Sequence, residues 1–351
     1  MNRVFLASLI LVLIVGLVSG SCAQPTAPSP APSPAPAPSP APAPPSPPST
    51  QPIEIGWVSF LPKMASGAQL IAGFFDYVTE KSGGQLVFNH RGGPEAIPSF
   101  DQATAVQTGA VDIAFVPVGY YSGITAAPNM IALSELTTNE EMKSGAYDFL
   151  VEIHEKVGMR WLFRNFSKPH DFFIMLTNKP VTKPQDLAGM RLGGGGIWET
   201  VGPALGMQTV SLVHEDEYIA MERGLMDAAA GGVGGYAASD FWEVADYLIT
   251  PPFFTCTASV IMNLDKWNSL PKNLQDVILD SIVEDGEHQM QLNIQENETC
   301  IKKLLDNGVK NVNFTGSDAE WYIDTMTKAA YNDWAKKAPV DGPKLYKLVQ
   351  K

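Results

Sequence analysis

Cysteine is scarce in this chain: three in 351 residues, too few for a disulfide framework. Positive charge is short as well. Lys and Arg number 24 against 37 Asp and Glu, a formal net charge of −13, which argues against nucleic acid or any other polyanion as a partner. The five histidines, His90, His154, His170, His214 and His288, show no metal-ligand spacing, so no metal site is expected. Catalytic signatures are missing too. There is no G-x-S-x-G elbow, no H-E-x-x-H and no G-x-x-x-x-G-K-[ST] loop, so the hydrolase, metalloprotease and phosphate-loop chemistries lose their usual machinery. Gly232-x-Gly234-x-x-Ala237 matches the loose dinucleotide fingerprint, but no clean helix start is expected behind it and the match reads as coincidence. Neither a cofactor nor an enzymatic activity is expected.

What is present begins with an export signal. Arg3 precedes an apolar run over residues 4–18, followed by Ser19-Gly20-Ser21 and Cys22; the run is short for a permanent span and has no flanking charge on its far side. Residues 1–21 resemble a bacterial lipoprotein signal, in which the cysteine is acylated and becomes the mature N-terminus. Ser19 departs from that pattern, which usually has leucine there, and cleavage near Ala23 by ordinary signal peptidase is the alternative. Residues 22–52 are expected to form the anchor site and a stalk, since residues 25–52 hold 14 of the chain's 28 prolines among Ala and Ser. Polyproline II at about 3.1 Å per residue spans at most roughly 90 Å. The expected location is the outer face of the cytoplasmic membrane or the periplasm, with a lipid anchor.

From Ile53 the chain is globular. Strand-like residues 53–58, 85–89 and 111–116 alternate with helical patterns at 68–79 and 100–107, a βαβαβ unit. A second such unit follows at residues 186–236: strands at 190–193 and 207–213, helices at 197–205 and 215–223, and a third strand behind Gly224. Between and after them the pattern predicts a helix over 140–157, strands over 160–163 and 172–176, and a long strand-like run over 253–263 able to pass between lobes. Helical patterns then cover 265–307 and 318–337. The expected fold is α/β and two-lobed, like periplasmic binding proteins of type II, with an interlobe cleft, crossing strands and a long C-terminal helix. Lobe I is expected over 53–170 plus 259–297, and lobe II over 171–258 plus 298–351. A hinge between lobes is how such a protein closes on a small ligand.

Ligands of open α/β sheets sit beyond the carboxyl ends of the strands, so residues 193–198 and 228–236 are the expected ligand-facing edges. Gly194 and Gly195 offer backbone N–H groups there. Trp57, Tyr120, Tyr121, Phe173, Trp198, His214 and Tyr236 stand at strand ends or adjoining loops, where a cleft is lined. Cys256 and Cys300 are read as buried thiols, with a disulfide as the alternative.

Five segments in fixed order carry a family resemblance: G-A-V-D-I-A-F at 109–115, K-P-Q-D-L-A-G-M-R-L at 183–192, E-Y-I-A-M-E-R-G-L-M-D-A at 217–228, F-W-E-V-A-D-Y-L at 241–248 and L-D-K-W-N-S-L-P-K-N-L-Q-D-V-I at 264–278. The chain resembles the DctP-like extracytoplasmic solute receptors of tripartite ATP-independent periplasmic (TRAP) transporters. The resemblance implies capture of a small organic ligand, carboxylated or aromatic, by lobe closure and its delivery to an ion-gradient-driven membrane permease. A surface-anchored sensing protein, or an extracellular enzyme on the same scaffold, is the other function class. The family's strand after the D-L-K-G turn reads K-x-R, with the arginine forked on a ligand carboxylate. Here those positions are Arg191 and Gly193, and Phe173 and Tyr120 stand where some members have further arginines. Either Arg191 replaces the clamp from the same strand face, about 7 Å away, or it is a solvated surface residue.

Overall fold

The computed structural model describes residues 51–170 and 172–351, without the side chain of Glu215. The signal segment, Cys22 and all but the last two residues of the stalk lie outside them. Among the described residues no helix is long and apolar enough to cross a membrane.

Eleven strands form two sheets. They are β1 (Ile53–Ser59), β2 (Leu86–Gly92), β3 (Ile113–Pro117), β4 (Met159–Arg164), β5 (Phe173–Thr177) and β6 (Arg191–Gly193). The remainder are β7 (Gln208–Val210), β8 (Ala228–Gly232), β9 (Tyr247–Phe253), β10 (Ala258–Asn263) and β11 (Lys310–Asn313). One sheet has the order β2-β1-β3-β10-β4, the other β11-β9-β5-β8-β6-β7. β10 is antiparallel to both of its neighbours, and so is β5. Each of these two strands follows a passage between the sheets, so it starts at the cleft while the parallel strands end there. The cleft is therefore ringed by the ends of β1, β3, β4, β6 and β8 and by the starts of β5 and β10, the arrangement that places ligand sites outside carboxyl ends.

The apolar spacing that predicts the first helix is its buried face: Ala68, Ile71, Phe74, Phe75 and Val78 of Ser66–Lys81 are buried, three and four residues apart as a helix stripe requires. Along β5 the period is two. Phe173 and Met175 enter one core and Ile174 and Leu176 another on the opposite face of the sheet.

Three sequence expectations need correction. The helix expected over 140–157 is two, Thr138–Glu141 and Ala146–Glu155, because Gly145 takes a left-handed conformation (φ 79°) between them. The first is started by a capping box of Thr137 and Glu140. The strand expected over 253–263 is also interrupted: β9 ends at Phe253 in one sheet and β10 begins at Ala258 in the other, so residues 254–257 make the crossing. A short helix, Val233–Ala238, does follow β8 where no helix start was expected.

The two crossings lie side by side. Phe172 N–H donates to the Phe254 carbonyl at 3.4 Å and Asn165 N–H to the Ala258 carbonyl at 2.7 Å. Each crossing holds a non-glycine residue with positive φ, His170 (53°) and Phe254 (55°), a conformation that costs on the order of 1–3 kcal/mol and concentrates in moving parts of proteins. The helix Lys272–Asp306, 35 residues long, packs on helices of both lobes, Ser66–Lys81 and Val233–Ala238.

Candidate functional site

A cavity of about 160 Å³ lies in the cleft. An engineered apolar cavity of about 150 Å³ takes benzene, so this space suits a compound of one ring. The lobes touch around it. A β-carbon built on Gly196 would meet the Gly119 Cα at 3.5 Å, one on Gly195 the Phe100 ring at 3.4 Å, and one on Gly234 the Ser66 hydroxyl at 3.1 Å. Backbone faces backbone or a single side chain across the mouth, and only at Gly234 would an added β-carbon be tighter than ordinary contact.

The wall from the five-stranded sheet is made of side chains. Phe60, Phe115 and Tyr120 form a cluster, with Phe60 5.3 Å from Phe115 and edge-on to Tyr120 at 6.1 Å between ring centroids. Asn129 donates both amide hydrogens within the lobe, to the Ser122 hydroxyl and the Ala126 carbonyl at 2.9 Å each, which leaves its carboxamide oxygen to accept.

The wall from the six-stranded sheet is largely glycine: 194, 195, 231, 232, 234 and 235. Its shape comes from rings that fill the space a β-carbon would take. A methyl group on Gly194 would collide with Trp198, one on Gly232 with Phe172, and one on Gly235 with His214. Trp198, starting the helix Ile197–Ala204, packs edge-on to Phe173 at 5.2 Å and Phe253 at 5.8 Å, geometries favoured by the ring quadrupoles. His214 Nδ1 lies 3.1 Å from a Glu217 oxygen that also accepts from the Tyr236 hydroxyl at 3.1 Å. Burial, then the neighbouring Glu217 carboxylate, pushes the Tyr236 phenol well up, so it stays a donor.

Six of the expected site residues line the cavity: Tyr120, Phe173, Gly194, Gly195, Trp198 and His214. Four are placed elsewhere. Trp57, 2% exposed, packs in the core against Phe75 and His90, because its strand position faces the helix Ser66–Lys81 rather than the cleft. Tyr121, at the same exposure, bonds His154 Nε2 at 3.1 Å and Ser259 at 3.0 Å, and burial lowers the His154 pKa to about 4. Tyr236 is fully buried behind His214. Arg191 is forked on Asp227, Nε to Oδ2 at 3.0 Å and Nη2 to Oδ1 at 2.8 Å, and Lys179 meets the same carboxylate at 3.0 Å. A side chain at 193 would run into Met226, itself fully buried, so the family's arginine position is filled by a residue just ahead of β8.

Sequence reasoning missed Glu217, Asn129, Asn293, Glu296 and Trp334, all on the cavity. One signal was available for two of them. Asp285, Gln289 and Asn293 are buried at four-residue steps on the long helix, a polar stripe where an apolar one belongs, and Glu296 and Asn297 continue it into the cleft. Cys256 and Cys300 are free and buried. Among the described residues no cluster of His, Cys, Asp or Glu is arranged to hold a metal.

The model of the bacterial extracellular solute-binding protein family 7, DctP, matches residues 64–337. The chain belongs to the DctP family. It is therefore a solute-binding receptor and not an enzyme. A relative, a solute-binding protein of Albidiferax ferrireducens, is 22% identical over 281 residues, 77% of this chain and 81% of that one. Among solved structures, a TRAP periplasmic solute-binding protein from Desulfovibrio salexigens with bound orotic acid superimposes with a TM-score of 0.74 at 18% identity, over 84% of this chain and 97% of that one. An extracytoplasmic solute receptor of Bordetella pertussis binding pyroglutamic acid gives 0.72 at 18% identity, over 85% and 99%. The two-lobed α/β architecture expected from the sequence is the fold of these DctP-family receptors.

Proposed function

We propose that this chain is the receptor of a TRAP transporter, tethered through Cys22 and the proline stalk to the outer face of the cytoplasmic membrane. It captures a one-ring organic solute by closing its lobes and passes it to an ion-gradient-driven permease. The observation that carries the reading is the cavity itself: about 160 Å³, at the strand ends of both lobes, walled by Phe60, Tyr120, Phe173 and Trp198. The orotic acid and pyroglutamic acid of the two structural relatives are likewise single rings, which supports the size class. The paired crossings at residues 165–172 and 254–257 serve as the hinge. Apart from closing on a solute, a cavity of this shape between two lobes has no use to the fold.

The test is native mass spectrometry of the freshly purified chain from residue 51 onward. A one-ring compound in 1:1 ratio, released on denaturation, is the expected result. Bound mass corresponding to a nucleotide, a sugar oligomer or a peptide would refute the size class and with it the one-ring receptor.

A further inference from the structure

The charge inside the cavity runs against an acid. Among the described residues no Lys or Arg lines it, while two carboxylates, Glu217 and Glu296, do. His214 is the one lining side chain able to carry positive charge, and its Nδ1 is 3.1 Å from Glu217, so any proton it gains is matched by that carboxylate. Glu296 is then left over. It accepts from the Cys300 thiol at 3.3 Å and forms no ion pair among the described residues; burial pushes that thiol up to about 12, and the lining Cys256 thiol up to about 11. Both thiols are neutral at pH 7.

Guanidinium groups outside the wall do not relieve this. Arg164, adjoining Asn165, is fully buried, with its Nε–H shared between both Glu141 oxygens at 2.9 and 3.0 Å. Arg191 is forked on Asp227. Beside Glu296, one helical turn away, Asn293 is 4% exposed, lines the cavity and forms no side-chain hydrogen bond to another described residue. Its carboxamide is left to bond what the cavity holds. Phe60, Tyr120, Phe173 and Trp198 add aromatic rings to the lining, groups able to hold an organic ammonium by their quadrupole.

We propose that the solute is a one-ring organic cation whose ammonium sits between Glu296 and Asn293 and whose ring lies against the aromatic walls. The inference rests on the receptor reading and sharpens it to a charge class, opposite to the acids named for the structural relatives. At an effective dielectric near 20, a partly buried carboxylate a few ångströms away discriminates a cation from its neutral isostere by about tenfold, and disfavours an anion by a similar factor.

Calorimetric titration of the chain from residue 51 onward with benzylamine, benzyl alcohol and benzoate at pH 7, matched in size and differing in charge, tests it. Benzylamine should bind about tenfold tighter than benzyl alcohol, with benzoate weakest. Glu296→Gln should bring the amine and the alcohol together in a variant that stays folded by circular dichroism, an outcome that a loss of folding cannot mimic. Equal affinity for amine and alcohol, or preference for benzoate, overturns the cation inference and leaves the one-ring receptor standing. Failure of all three to bind overturns both.

Discussion

The two lobes meet the same cavity with unlike walls. The five-stranded sheet presents side chains whose positions are set from behind, while the six-stranded sheet presents bare backbone into which rings are inserted. Behind the first wall lies a buried polar network. Arg164, fully buried, donates to Glu141, to the Leu136 carbonyl at 2.6 Å and to the Ser167 hydroxyl at 3.1 Å, while Glu141 accepts from Ser134 at 2.8 Å. A smaller network backs the glycine wall, where the buried Glu217 carboxylate lies 3.1 Å from His214 Nδ1 and accepts from the Tyr236 hydroxyl at 3.1 Å. Its one buried carboxylate near β6, Asp227, faces the half-exposed Arg191 and Lys179. The difference separates two tasks: one wall is held rigid by satisfied charges, and the other can be reshaped by a single added methyl group.

Removing the network should have the largest effect. Arg164→Ala leaves Glu141 buried, 3% exposed, without its guanidinium, and an uncompensated buried charge of this kind costs about 3–5 kcal/mol. Urea unfolding at pH 7 is expected to show that loss. A drop below about 1 kcal/mol would mean that the side-chain wall does not depend on the pair.

The glycine wall should break at smaller cost in stability and larger cost in binding. Gly194 has φ of +123° and its missing β-carbon would overlap Trp198, so Gly194→Ala both strains the backbone, at about 1–3 kcal/mol, and drives the indole off its contact with Phe173. Binding of the co-purified solute should be lost while the variant remains folded by circular dichroism. Retained affinity would show that Trp198 is not part of the wall that the solute meets.

These contrasts bear on what the sequence could disclose. The alternation of periods two and 3.6 located the strands and most helices, because burial on one face imposes it. Element ends set by one backbone angle were harder: Gly145 and Phe254 interrupt patterns that read as continuous. At the site, aromatic residues at strand ends were legible through topology alone, which is why Tyr120, Phe173 and Trp198 line the cavity. Trp57 and Tyr121 share that sequence position but face the core, since the side on which a strand-end side chain emerges depends on register and not on residue type. Asn293 and Glu296 lie on a helix whose cleft segment is only one part of its 35 residues, and the polar residues at four-residue steps were the one local mark of where it passes a cavity assembled from other elements.

Arg191 should give the smallest effect. Its side chain is 37% exposed, and exposed pairs contribute little once solvent screens them; Asp227 also keeps the Arg191 backbone N–H at 2.9 Å and Lys179. Arg191→Ala is therefore expected to lower the urea midpoint at pH 7 by no more than a few tenths molar and to leave solute affinity unchanged. The pH dependence fixes the sign. The Arg191 guanidinium, first among its partners, holds the Asp227 carboxyl below the usual carboxylate range. The stabilisation this provides is complete above about pH 4, the ordinary value of a free aspartate, and is lost as pH falls through that value and below, where the unfolded chain binds the proton that the folded chain excludes. Wild type and Arg191→Ala should thus differ at pH 7 and converge at acid pH. A gap that persists unchanged into acid would mean the arginine acts through packing of its aliphatic stem. Loss of solute affinity with unchanged stability would return Arg191 to the ligand and the clamp to strand β6.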